Sequence, residues 1–225
     1  MTISKLLTSR CLISAAAILL PLQAVAQDAD WSGAFVGANI GIGMIESEIH
    51  DFDEEAAFGY SRNDGPAGVS NLQAGYNWQS GNLVYGAVVS IGTTSFDEEF
   101  ETDFCEPATH QTAVNALGSV RGRVGLATGN TQFYGTAGVA IIDTDETLAC
   151  GDVDSDSGVV DDPYEALVMG FGVESMIADN LSVNAEYLSY MADDQTVDEV
   201  GEDDEFGTFG IQADTVTIGV NYHFF

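Results

Sequence analysis

The chain has 225 residues, of which 36 are acidic and only five basic, with 25 glycines and four prolines. A formal charge of −31 excludes nucleic acid as a partner, because a phosphate backbone is held by positive surface. No apolar run beyond the first 26 residues approaches the ~20 residues of a membrane helix, and the glycines follow no collagen-like period, so a single all-β domain is expected.

Residues 1–26 read as a secretory signal: Lys5 and Arg10, the short apolar stretch CLISAAAILL, then Ala24-Val25-Ala26 before the cut. The apolar run from Cys11 meets Pro21 after ten residues, too short for a spanning anchor. Cleavage after Ala26 leaves a domain over residues 27–225 with three basic and 36 acidic side chains, formally −33.

That domain repeats strand, short turn, strand, long acidic connector. GAFVGANIGIGM places Ala34, Val36, Ala38, Ile40, Ile42 and Met44 on one face. VSNLQAGYNWQ sets Leu72, Ala74, Tyr76 and Trp78 against Asn71, Gln73 and Asn77, and LVYGAVVSI aligns Leu83, Tyr85, Ala87, Val89 and Ile91. The fourth segment, VNALGSVRGRVGLA from Val114 to Ala127, has an apolar or glycine face running from Val114 to Leu126, while Arg121 and Arg123 share the other. TQFYGTAGVAI, EALVMGFGVESMI, LSVNAEYLSYM and TVTIGVNYHFF alternate likewise, the last with Val216, Ile218, Val220, Tyr222 and Phe224 together. Three-residue turns, Ser80-Gly81-Asn82, Thr128-Gly129-Asn130 and Ala178-Asp179-Asn180, join every second pair.

Eight strands of about ten residues match the ~9–11 that a tilted transmembrane strand needs. The expected fold is an eight-stranded antiparallel up-and-down transmembrane β-barrel, with short periplasmic turns and four long acidic extracellular loops. In it the apolar faces meet lipid, and Arg121, Arg123, Glu174 and Glu186 point into the lumen. A soluble barrel would instead turn these four charges to water; the regular asymmetry of turns and loops favours the membrane form. Counted from the short turns, Arg121 is level with Glu186, and Arg123 with Glu174. Charges in so narrow an interior are expected to pair.

The connectors 46–67, 95–110, 144–162 and 193–210 hold 28 of the 36 acids, which makes them a solvated, repulsive outer surface. Divalent cations at these loops are the alternative. Asp152, Asp154 and Asp156 open a stretch like a calcium loop, but the sixth place lacks glycine and Pro163 stands at the twelfth, so the motif is broken. No other cofactor is implied. Cys105 and Cys150 are the cysteines left after cleavage, an even number in an oxidising compartment, and a disulfide between them is expected. His50, His110 and His223 show no metal spacing, and no nucleophile motif is present.

Taken in order, WSGAFVGANIGIG, LQAGYNWQ, GSVRGRVGLA, FYGTAGVA, GFGVE, LSVNAEYLSY and VTIGVNYHFF resemble the small outer-membrane β-barrel porin-like family of Gram-negative bacteria. That family includes the outer membrane immunogenic proteins, and its barrel is similar to the transmembrane domain of OmpA. The resemblance covers all eight strands. It implies location in the outer membrane, contact with outer-membrane lipid, and recognition of the C-terminal strand by the outer-membrane assembly machinery. The family's usual acids on the lumen face of the third strand are replaced by Val88 and Ser90, and Phe225 follows the final girdle position held by Phe224.

The sequence therefore leads to a monomeric, non-enzymatic barrel with a structural or surface role, its lumen closed by polar and charged side chains. A small cation-preferring porin, an adhesin-like surface binder and a lipid-modifying barrel enzyme are the alternatives. The last would need a Ser/His/acid set near the outer lipid boundary, where only His110 is placed.

Overall fold

The computed structural model describes residues 29–51, 61–102, 108–150, 158–160, 163–192, 195–198 and 205–224. Residues 1–26, expected to be a secretory signal, and Cys105, Asp152, Asp154 and Asp156 lie outside the described residues, as does the side chain of Cys150.

The strands are β1 (Gly33–Asp51), β2 (Ser61–Ser80), β3 (Leu83–Thr102), β4 (Ala108–Thr128), β5 (Thr131–Cys150), β6 (Gly158–Val160), β7 (Tyr164–Ala178), β8 (Leu181–Ala192), β9 (Gln195–Asp198) and β10 (Glu205–Phe224). Eight of them form one antiparallel ring in the order β1-β2-β3-β4-β5-β7-β8-β10, and β10 pairs back onto β1 from Ala34↔Phe224 to Asp51↔Gly207. The short β6 adds to β5 and β9 to β10. Closure leaves the ring of eight without a free edge where it crosses the lipid, as a strand protein must be in hydrocarbon, where no water satisfies an open backbone. Among the described residues no helix is long and apolar enough to cross a membrane; the strands make the crossing.

The period-two pattern sorts the side chains. Ile40 and Ile91 on the outer wall are 65% and 66% exposed, whereas Asn39, Gln73, Asn77, Arg121 and Glu174 are buried. The usual soluble order is inverted because lipid is the outer solvent. Aromatics gather on the outer wall toward the short-turn end, Tyr76 against Trp78 at 4.8 Å, Trp78 against Tyr85 at 5.8 Å and Tyr222 against Phe224 at 5.0 Å. That is the depth at which amphipathic rings sit between hydrocarbon and headgroups.

Three expectations need correction. The short turns have two residues, not three: Ser80 pairs with Leu83, Thr128 with Thr131 and Ala178 with Leu181. Gly81 and Gly129 open two of them at φ 61° and 58°, a left-handed conformation whose twist suits a tight hairpin. The strands also run beyond the lipid-facing segments into stretches assigned to loops, to Asp51, Thr102 and Cys150, and from Ser61, Ala108 and Glu205. Their apolar alternation stops there, so hydropathy could not mark where pairing ends.

The third correction concerns Val114, expected on the lipid face and found 2% exposed in the lumen. Val114 pairs with Thr144 but Ala116 with Asp143, leaving Asn115 as an extra residue. On the β3 side Thr93 pairs with Ala116 and Phe96 with Val114. Such a bulge reverses in and out for everything beyond it. The Thr94 hydroxyl donates to the Val114 carbonyl at 2.6 Å, and Ser95 accepts from the Gly68 amide at 2.8 Å, which anchors the irregular stretch.

Candidate functional site in the barrel lumen

The lumen side chains form three layers. Nearest the short turns is a small apolar cluster of Trp31, Val84, Ala127 and Met176. The Trp31 amide donates to Gln79 Oε1 at 2.7 Å and the Ala29 amide to the Gly129 carbonyl at 3.3 Å. The residues before β1 thus lie across the short-turn mouth. Trp31 meets the ring of His223 edge-on, with centroids 5.7 Å apart.

Above it lies the charged layer, with Glu174 at its centre. Oε1 of Glu174 accepts from Ser182 Oγ at 2.5 Å and Asn221 Nδ2 at 2.7 Å, with His223 Nε2 at 3.2 Å. Oε2 accepts from Gln132 Nε2 at 2.9 Å and Arg123 Nη2 at 3.1 Å. Arg123 Nε donates to Asn77 Oδ1 at 3.0 Å, and Gln73 donates to Asn221 Oδ1 at 2.8 Å. One polar network thereby joins β2, β4, β5, β7, β8 and β10. The guanidinium carbon of Arg123 sits 4.7 Å from the Phe35 ring centre and 4.9 Å from that of Tyr134, so two aromatic faces flank the cation.

Arg121 lies one lumen position higher, with Nη1 3.0 Å from Glu186 Oε2. This contact lacks hydrogen-bond alignment, and Nε has no hydrogen-bond partner. Tyr134 donates its hydroxyl to Glu186 Oε1 at 3.2 Å. Of the two ion pairs, Arg123 with Glu174 is the better satisfied, and a buried pair holds only when its remaining donors and acceptors are met.

The third layer, toward the long loops, is apolar. Ile45, Val114, Leu117, Ile142, Tyr164, Val168, Leu188, Tyr190 and Ile211 are all buried there in one cluster. On β3, Val88 faces the lumen and Ser90 shares a hydroxyl contact with Ser119 at 2.8 Å, so neither position supplies a charge.

The sequence singled out Arg121, Arg123, Glu174 and Glu186, and the fold brings them together as these two pairs. It did not single out Gln132, Ser182, Asn221 and His223 as partners of Glu174. Their alternation with outward residues such as Phe133, Val183 and Tyr222 was the available signal. Which strand faces which across the axis follows only from closure. Ser182, His223 and Glu174 form a serine, histidine and acid set, but without triad geometry. Serine has one hydrogen and gives it to Glu174, so His223 Nε2 must be a donor, not the bare base a nucleophile needs. All three are within 1% of complete burial. Among the described residues no group of three or more His, Cys, Asp or Glu side chains could hold a metal ion.

The family described as outer membrane protein beta-barrel domain matches residues 12–224. The chain belongs to this family. It is 30% identical over 213 residues to a 31 kDa outer-membrane immunogenic protein of Brucella melitensis, a match covering 91% of this chain and 88% of that one. A 22 kDa outer membrane protein of Rhizobium leguminosarum bv. viciae is 28% identical over 200 residues, 86% of this chain and 78% of that one. Among solved structures, the outer membrane protease OmpT from Escherichia coli superposes with a TM-score of 0.52 at 8% identity, covering 85% of this chain and 97% of that one. That likeness is one of fold alone. This outer-membrane barrel therefore resides in the outer membrane of a Gram-negative bacterium, embedded in its lipid.

Proposed function

We propose that this barrel is a non-conducting structural protein of the outer membrane that displays acidic loops at the surface and carries out no reaction. The observation that supports it is the burial of Arg121, Arg123, Glu174 and Glu186, at 2%, 6%, 0% and 8% exposure, between an apolar layer toward the loops and the Trp31 cluster at the turns. An eight-stranded barrel has an interior just wide enough for side chains to fill. An ion entering this one would have to leave water for an apolar layer, at a cost that desolvation makes prohibitive. The Brucella relative's name, an outer-membrane immunogenic protein, supports the surface role. The barrel works as a monomer, and its C-terminal strand β10 is the part that the assembly machinery takes up. A mature domain over residues 27–225 and acidic loops that hold divalent cations weakly complete this reading.

Planar-bilayer recording of the purified protein tests it. No long-lived channel is expected. A steady cation-selective conductance that changes in Glu174→Gln or Glu186→Gln would make the lumen a pore and replace this reading with the small-porin one.

A further inference from the structure

The outer wall is not uniformly convex. Along β1 the outward side chains begin small, Ala34, Val36 and Ala38, before Ile40 restores the bulk. The register sets larger neighbours beside them: Ala34 lies between Tyr76 and Phe224, Val36 pairs with Tyr222, and Ala38 lies between Leu72 and Val220. The result is a shallow, open trough whose outward lining is Val36, Ala38, Leu72, Leu181, Val220 and Tyr222.

We propose that this trough holds one acyl chain of a phospholipid from the periplasmic leaflet. It is continuous with the lipid-facing wall, and its outward lining is apolar apart from the Tyr222 hydroxyl. It lies in the half of the wall next to the two-residue turns, the side that faces the periplasm in barrels with such asymmetric connections. The aromatic pairs Tyr76 with Trp78 and Tyr222 with Phe224 flank its lower end, where they mark headgroup depth. A chain seated there would leave its glycerol and headgroup beside these rings. A lipopolysaccharide chain would have to reach down from the opposite leaflet.

Native mass spectrometry of the full barrel, reconstituted in nanodiscs of phosphatidylethanolamine and phosphatidylglycerol and released into detergent, tests this. One retained phospholipid per barrel is expected. Ala38→Trp fills the trough and should retain about tenfold less, as expected from losing roughly two buried methylenes. Leu72→Ala, which lowers a wall, should also retain less. Ala137→Trp, on the outer face of β5 away from the trough, should retain as much as the unaltered protein. A heat-dependent gel shift shows that each variant is folded. The proposal is overturned if the unaltered barrel keeps no phospholipid, if Ala38→Trp keeps as much, or if the retained mass is lipopolysaccharide or a second barrel.

Discussion

The ring of Tyr134 lies directly over Gly172, so close that a Cβ there would stand 2.6 Å from the ring's Cζ and hydroxyl. Phe35 sits in the same way over Gly75, where a Cβ would be 2.5 Å from its ring. These two rings flank Arg123. Two lumen glycines thus set the spacing of the aromatic walls around the central cation.

Gly172→Ala is therefore expected to push Tyr134 away from Arg123 and from Glu186 and to press on the Ala185 carbonyl, 2.9 Å from the added Cβ. Overpacking of this kind costs about 1–3 kcal/mol. Urea unfolding in detergent or bilayers, followed by tryptophan fluorescence, should show the loss, and Tyr134→Leu combined with Gly172→Ala should be less than additive. Unchanged stability in Gly172→Ala would show that the ring has room to move.

Removing one charge from the Arg123 and Glu174 pair strands the other in the lumen. Arg123→Ala should lower stability by roughly 3–5 kcal/mol, and adding Glu174→Gln should restore part of that loss. The corresponding Arg121→Ala loss should be smaller, because the Arg121 contact with Glu186 is less well aligned. The reverse ranking would contradict the geometry.

Deleting Asn115 should cost less than Arg123→Ala. Without the extra residue Val114 adjoins Ala116 directly, still opposite Thr144 and still facing the lumen, so the β4 to β5 ladder becomes regular and the strain falls on β3, where two residues lie between Thr93 and Phe96. The folded, heat-dependent gel mobility should persist; its loss would show that the bulge itself is needed.

A disulfide between Cys105 and Cys150 is proposed from the oxidising compartment and from the two connectors that carry them opening on the same side. Ala108, three residues after Cys105, pairs with Cys150 at the end of the β4 to β5 ladder. A bridge across a 45-residue separation would contribute roughly 4 kcal/mol in the loop-entropy account. Thiol labelling of the denatured, unreduced protein should find no reactive cysteine in the mature chain; two would refute the bridge.

Alternation along each segment was enough to determine eight crossing strands, their lipid faces and the inward direction of Arg121, Arg123, Glu174 and Glu186. Each of these is local, set by side chains two residues apart on a pleated strand. Counting from the turns set Arg121 level with Glu186 and Arg123 level with Glu174, the pairs that form, although a bulge at Ile177 breaks the one-by-one pairing of β7 with β8. The position of Val114 was not legible, since a bulge leaves the residue types unchanged while reversing the face. Nor was the convergence of Ser182, Asn221 and His223 on Glu174, which needs β10 closed against β1 and β8. Alternation says that a side chain points inward; only the curvature and closure of the ring decide what it meets there.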